Sequence, residues 1–147
     1  MNAPRNTEKD PENQYLWRHT PKRLDFEAWR DSLLAVSGKL DPSFGGPTTN
    51  LDNPENYRRT VYAKISRHEL NGLLRLFDFP DANITSERRV ETTVPQQQLF
   101  VMNSPFMVNQ ARGLTSRLEK EATTDEARIK RAYEILFSRP ALPEEVE

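Results

Sequence analysis

The chain has 147 residues, of which 35% are hydrophobic and 29% charged, so it is long enough for one domain with a modest core. Its net charge of −1 gives no overall field that would favour nucleic acid or an anionic membrane, and no apolar run approaches the ~20 residues of a membrane span. The absence of cysteine excludes disulfides, thiolate metal sites and a cysteine nucleophile from this chain.

The N-terminal segment is predicted to be a tail that leads into a short helix. Residues 1–10 are polar, and we expect a disordered N-terminal tail there. Asp10, followed by proline and glutamate, matches the start of a helix. Tyr15, Leu16 and Trp17 then place three large apolar side chains on a short element, and we expect them to dock on another surface.

The next predicted helix covers residues 25–37, with Asp25 as its cap and Gly38 as its end. Apolar residues at spacings of four, three and four predict the helix face that enters the core. These residues are Trp29, Leu33, Val36 and Leu40. Residues 41–57 follow as a loop, because glycines and prolines interrupt any regular element there.

A small two-stranded β element is predicted in the middle of the chain. Apolar and polar residues alternate from 59 to 65, and this alternation is typical of a half-buried strand. A single strand needs a partner, and residues 90–94 have the composition that fits best. Pairing of these two segments would also bring their flanking residues together.

Several further helices are predicted around and after these segments. Ser66 and Glu69 have the spacing of a capping box at a helix start. The next two helices start at Pro95 and Pro105, because proline suits the first helical position. Gly113, in the interior of the second, predicts a close contact with another helix. With two more helical patterns near the C-terminus, the fold class is mainly α, with five or six helices, the two-stranded β element and long Pro/Gly-rich loops.

Two arginine pairs are the strongest candidates for a binding site. Arg58–Arg59 and Arg88–Arg89 each stand beside one of the two predicted strands. If those strands pair, four guanidinium groups lie near one another and suit an oxyanion, for example a sulfated or carboxylated sugar. The alternative is an internal ion-pair network with nearby carboxylates. Those carboxylates are Asp78, Asp81, Glu87 and Glu91.

Asp78 and Asp81 present a second pair of alternatives. Two carboxylates this close in sequence suit the acid–base pair of a glycoside hydrolase, and they equally suit the backbone groups of a turn. His19 and His68 lie far apart in sequence without a second ligand at helical spacing, so no metal site is predicted. No serine stands in a nucleophile elbow, and the sequence assigns no catalytic residue.

Four short motifs in the central region resemble a known family. They read RRTVY at residues 58–62, FDFPD at 77–81, TTVPQQQL at 92–99 and NSPF at 103–106. In this order they resemble the C-terminal portion of the planctomycete cytochrome-c-associated domain, which is domain of unknown function 1553. The similarity extends over residues 11–147.

The resemblance implies that residues 11–147 form a single helical domain, the C-terminal part of a larger envelope-associated protein. It implies an extracytoplasmic location, although the N-terminus shows no signal-peptide pattern. It places haem c only on an upstream domain absent from this chain, and it makes upstream domains or a split partner chain the expected partners. The family brings no established activity, so the expected function is a non-catalytic structural or interaction module, with anionic glycan binding or hydrolysis as the alternative.

Overall fold

A computed structural model describes residues 4–20 and 22–146 of the chain, and this part is mainly helical, as the sequence predicts. Long loops connect its seven α-helices, one or two more than expected. They are α1 (Pro4–Lys9), α2 (Phe26–Val36), α3 (Gly72–Leu76), α4 (Pro95–Asn103), α5 (Pro105–Glu121), α6 (Asp125–Phe137) and α7 (Pro143–Val146). None of the helices in the described ranges is both long enough and apolar enough to cross a bilayer.

The N-terminal end is organised differently from the expectation. Helix α1 lies in the segment expected to be a disordered tail, and residues 1–3 of that tail are outside the described residues. Asp10 does not start a helix. It follows α1, and its two carboxylate oxygens accept the backbone N–H groups of Gln14 and Tyr15 at 2.8 and 2.9 Å. These bonds close a turn, because a side-chain acceptor competes with helical hydrogen bonding.

The helix predicted to begin at Ser66 begins later, at Gly72. Ser66 Oγ does accept the Glu69 N–H, at 3.4 Å, which is one half of a capping box. Asn71 is the N-cap instead, and its side-chain oxygen accepts the Leu73 N–H at 2.9 Å. The shorter cap bond at Asn71 defines the start of α3, so the predicted position is wrong.

The predicted two-stranded β element is not found in the described residues. Thr60–Tyr62 form a short 3₁₀ helix inside the first predicted strand. Two isolated bridges join Asp41 to Arg58 and Thr49 to Ala63, and residues 90–94 take part in neither. The prediction of a β element from the alternation is therefore wrong.

Side-chain acceptors explain why the two segments do not pair. Asp31 in α2 accepts the Thr60 N–H and hydroxyl at 2.7 and 2.6 Å, which attaches the first segment to the helix. Asp78 accepts the Thr92 N–H and hydroxyl in the same way, at 2.9 and 2.6 Å. A backbone N–H that is bound to a carboxylate is not available for a strand ladder, so neither segment pairs with the other.

Helix α2 lies at the centre of the core, with a buried face offset from the predicted one. Phe26, Arg30 and Leu34 are buried, whereas the stripe that begins at Trp29 is half-buried. The core is small, in agreement with the modest core expected from the composition. The buried hydrophobic residues are Leu34 and a cluster of Phe26, Leu51, Ala63 and Leu74, which is flanked by Trp29, Leu70, Leu73, Phe77 and Phe79.

The long helix α5 crosses the end of α2 at Gly113, which confirms the close contact predicted from an interior glycine. A Cβ atom at this position would lie 3.0 Å from the Ser37 Cβ and 3.2 Å from the Ser37 carbonyl oxygen. Beside the crossing, the buried Ser37 hydroxyl donates to the buried Gln110 side chain at 2.7 Å. Arg117 donates to the Val36 carbonyl at 3.0 Å, so α5 also satisfies the C-terminal end of α2.

Candidate functional site

Arg89 makes a bidentate ion pair with the start of α2. Its guanidinium donates to both carboxylate oxygens of Glu27 at 2.8 Å and lies 3.6 Å from Asp25. The hydrogen bonds from Arg89 lower the pKa of Glu27, although partial burial of the carboxyl opposes this, and they raise the pKa of Arg89. Because Arg89 also lies over the Phe79 ring at 5.1 Å, it attaches its loop to α2.

Arg58 stabilises the loop that precedes it. Its guanidinium donates to the carbonyls of Gly45 and Pro47, the second at 3.0 Å, and lies 4.2 Å from the centre of the Tyr62 ring. The Tyr62 hydroxyl in turn accepts the Gly45 N–H at 2.9 Å. The buried Nε of Arg58 has no hydrogen-bond partner among the described residues. These contacts hold the Arg58 side chain against this loop.

Arg59 and Arg88 are the two exposed members of the arginine pairs. Arg59 Nε lies 3.7 Å from Asp31, and more than half of its side chain is exposed. Arg88 makes no side-chain ion pair within residues 4–20 and 22–146. Since the predicted strands do not pair, the geometry that would unite four guanidinium groups is missing. Ligand binding by these arginines stays a prediction.

Asp78 connects the end of α3 to the loop before α4, while Asp81 lies exposed in its own turn. The Asp78 carboxylate binds Thr92, as described above, and lies 3.7 Å from Arg23 Nη1. Burial raises the pKa of the Asp78 carboxyl, but the hydrogen bonds from Thr92, with Arg23 and Gln97, together outweigh burial and the pKa is lowered. Asp81 accepts the N–H of Asn83 at 2.8 Å. Both carboxylates thus satisfy backbone groups.

An open groove of 540 Å³ lies between α2 and α4. Its floor is a stack of aromatic rings, in which the Phe77 centroid lies 5.1 Å from those of both Phe26 and Trp29. A groove of this size accommodates a small molecule or large side chains. The rest of its lining consists of Leu24, Val101 and Met102, with Arg23, Gln97 and Gln98 as polar groups.

The groove is suited to binding apolar groups. Gln97 is buried, and its amide already donates to the Leu76 carbonyl at 2.9 Å. Arg23 donates to the Thr92 carbonyl and lies beside Asp78. The lining therefore offers neither a nucleophile nor a free acid–base group. In the part of the chain that the structure describes, no three His, Cys, Asp or Glu side chains are grouped to hold a metal ion.

Sequence reasoning assigned Trp29 to the core and missed the opening beside it. The signal that indicates it is the run of four apolar residues at 99–102, because one helix face cannot bury four consecutive side chains. Phe100 packs edge-on against Phe77, with centroids 5.6 Å apart. The other three residues of the run are exposed.

Comparison with known proteins identifies a family. The family model PSD1, described as a protein of unknown function (DUF1553), matches residues 2–147. No curated protein and no solved structure matches the chain. The family match spans nearly the whole sequence and agrees with the four motifs of the central region. The chain therefore belongs to the PSD1 family of proteins of unknown function, DUF1553.

Proposed function

We propose that the chain is a non-catalytic interaction module that packs against another polypeptide. The observation that carries this proposal is the exposure of Leu99, Val101 and Met102, three of the four consecutive apolar residues of α4. A helix with apolar residues on every side is normally covered by protein. Because Val101 and Met102 also line the groove, these residues and the groove form one apolar area, here named the α4 surface.

The chemistry of the α4 surface indicates an apolar partner segment. Arg23 is the charged residue of the groove lining, and its guanidinium lies 3.7 Å from the Asp78 carboxylate. A charged group of the partner would therefore lose water there without gaining a free counterion. An aliphatic or aromatic side chain would instead cover the rings of Phe77 and Trp29, at a gain of about 25 cal/mol per Å² of buried apolar surface.

The partner we propose is another domain of a larger planctomycete envelope protein, or a split partner chain. The motif resemblance to cytochrome-c-associated proteins supports this part of the proposal, together with an extracytoplasmic location. Haem c, where the parent protein carries it, would sit on an upstream domain. This chain has no cysteine that would form the thioether bonds of haem c.

Site-specific photo-crosslinking tests the α4 surface. We expect benzoylphenylalanine at position 102 to give one discrete adduct in the native host, because Met102 is 75% exposed in the centre of the proposed contact. Mass spectrometry identifies the partner polypeptide in the adduct, and this partner is then purified on its own. Its affinity for the chain, measured by calorimetry, is expected to fall by about tenfold or more in Met102→Glu, since the substitution places a charge in an apolar contact.

Glu119, which is exposed on α5, is the matched control position. Benzoylphenylalanine at position 119 is expected to give no adduct with the same polypeptide, and Glu119→Gln is expected to leave its affinity unchanged. Equal crosslinking from both positions, or wild-type affinity in Met102→Glu, would contradict the proposal.

Anionic glycan binding is the second candidate function, and the exposure of Arg59 and Arg88 favours it. Arg58 and Arg89 are held by their loop and by Glu27, so in this candidate they support the site and do not contact the ligand. A carboxyl that donates a proton in hydrolysis needs a raised pKa, whereas the pKa of Asp78 is lowered. Binding is thus better supported than hydrolysis.

Substitution of the two exposed arginines tests this candidate. We expect Arg59→Gln combined with Arg88→Gln to weaken binding to heparin, a sulfated polysaccharide, by about tenfold at low salt, because two charge-assisted contacts are lost. The control is Arg67→Gln, which removes another exposed arginine. Heparin binding that survives the double substitution, or that Arg67→Gln reduces equally, counts against this site.

A further inference from the structure

The loop after α1 exposes two adjacent large apolar side chains. Tyr15 is 86% exposed and Leu16 is 82% exposed, so both contact water almost completely. Neither residue lines the groove between α2 and α4. We name this pair the apolar tip, and it is separate from the α4 surface.

Two buried polar residues order the base of this loop. The Asp10 carboxylate binds two backbone N–H groups, as described above, and the Asp10 carbonyl accepts the indole N–H of Trp17 at 3.0 Å. The Asn13 side chain accepts the Arg18 N–H at 3.1 Å and donates to the Arg18 carbonyl at 2.8 Å. Because these bonds fix both ends of the loop, little conformational freedom is lost when the tip binds.

Leu16 adopts a left-handed backbone conformation, with φ 54°. This region is unfavourable for residues with a Cβ atom, and an aliphatic side chain forms no local hydrogen bond that compensates. Burial of the side chain does not compensate either, since Leu16 is exposed. The fold therefore keeps Leu16 exposed and in a backbone conformation that leucine disfavours, which points to a binding role for the tip.

The sequence on the C-terminal side of the tip is positively charged. Residues 13–24 contain Arg18, Lys22 and Arg23 and no aspartate or glutamate. Arg18 and Lys22 are exposed, and Arg18 also donates to the Pro11 carbonyl at 3.4 Å. Glu12, on the other side of the tip, already accepts a hydrogen bond from a neighbouring amide at 2.9 Å. Exposed positive charge therefore lies on the C-terminal side of the apolar tip, while two carboxylates precede it.

We infer that the apolar tip inserts into the interface of an anionic lipid surface while Arg18 and Lys22 contact the lipid phosphates. An amphipathic tyrosine ring suits the headgroup level, a leucine side chain suits the upper acyl region, and nearby cations are attracted by anionic lipid. The positive charge on the C-terminal side of the tip is complementary to the negative charge of an anionic lipid surface.

Vesicle co-sedimentation of the full chain tests this inference. We expect binding to vesicles of equimolar phosphatidylcholine and phosphatidylglycerol, and binding about tenfold weaker to phosphatidylcholine alone. Tyr15→Ser combined with Leu16→Asn is expected to weaken binding to the anionic vesicles by about tenfold or more. Asparagine is chosen because it tolerates the left-handed conformation. Lys22→Gln is expected to weaken binding several-fold at low salt, with a smaller effect at high salt.

Two control variants distinguish the tip from a general surface effect. Phe44→Ser removes another ring, which is 98% exposed, and Lys64→Gln removes another exposed lysine. Both are expected to bind vesicles like the wild-type chain, and circular dichroism checks that every variant is folded. Equal losses in the controls, or no binding to either vesicle, overturn the inference. Self-association that the double tip variant abolishes, in the absence of vesicle binding, assigns the tip to a second copy and also overturns it.

Discussion

Substitution of Arg30 with methionine is expected to lower the free energy of unfolding by about 3–5 kcal/mol. Arg30 is only 3% exposed and lies on the buried face of α2. Its guanidinium donates to the carbonyls of Asn56 and Arg58 at 2.5 and 3.1 Å and to the Thr60 hydroxyl at 3.1 Å. Methionine fills a similar volume but leaves these three acceptors without their donor, in a place where water does not replace it.

Urea unfolding followed by circular dichroism measures this loss. Arg30→Lys is expected to lose less than Arg30→Met, because a single ammonium keeps the charge but does not reproduce the planar fork that reaches all three acceptors. The control Arg67→Met, at an exposed position, is expected to change the free energy of unfolding by less than about 0.5 kcal/mol. If Arg30→Met costs no more than the control, the structural role assigned to Arg30 is wrong.

The helices were predictable where local signals agree. Helix α2 runs from Phe26 to Val36, within the predicted residues 25–37. Helices α4 and α5 begin at Pro95 and Pro105, because the fixed backbone angle of proline and its missing N–H suit the first turn whatever the rest of the chain does. These signals depend on residues within one or two turns, so a single sequence is sufficient to read them.

The missed features depend on residues far apart in the chain. Alternation at 59–65 predicts a strand, but the Asp31 carboxylate, distant in sequence, binds the Thr60 N–H and hydroxyl instead. Two of the four arginines form internal ion pairs, yet Arg89 pairs with Glu27 and Arg59 with Asp31, and not with the nearby carboxylates that the sequence suggested. Composition shows that carboxylates and guanidinium groups are present, but the tertiary fold determines which of them form ion pairs.

Asp78 shows how a residue proposed for a site is used by the fold, and Asp78→Ala is expected to lower the free energy of unfolding by about 2–3 kcal/mol. The carboxylate accepts hydrogen bonds from the Thr92 N–H and hydroxyl, and both donors are left without an acceptor in Asp78→Ala. The backbone of Asp78 is also left-handed, with φ 62°, which alanine adopts less readily than aspartate. Urea unfolding measures the loss, and Asp78→Asn, which keeps the backbone preference and one acceptor, is expected to lose less.

The same carboxyl makes stability depend on pH. Because the pKa of Asp78 is lowered in the folded chain, its contribution is complete above the unfolded pKa of about 3.9 and is lost as the pH falls through the folded pKa. Glu27, whose pKa is also lowered, adds to the same acid loss. We expect urea titrations to show stability falling below about pH 4, and falling less in Asp78→Asn because one of the carboxyls with a lowered pKa is gone. An unchanged acid loss in Asp78→Asn would mean that the Thr92 bonds do not stabilise the ionised carboxylate.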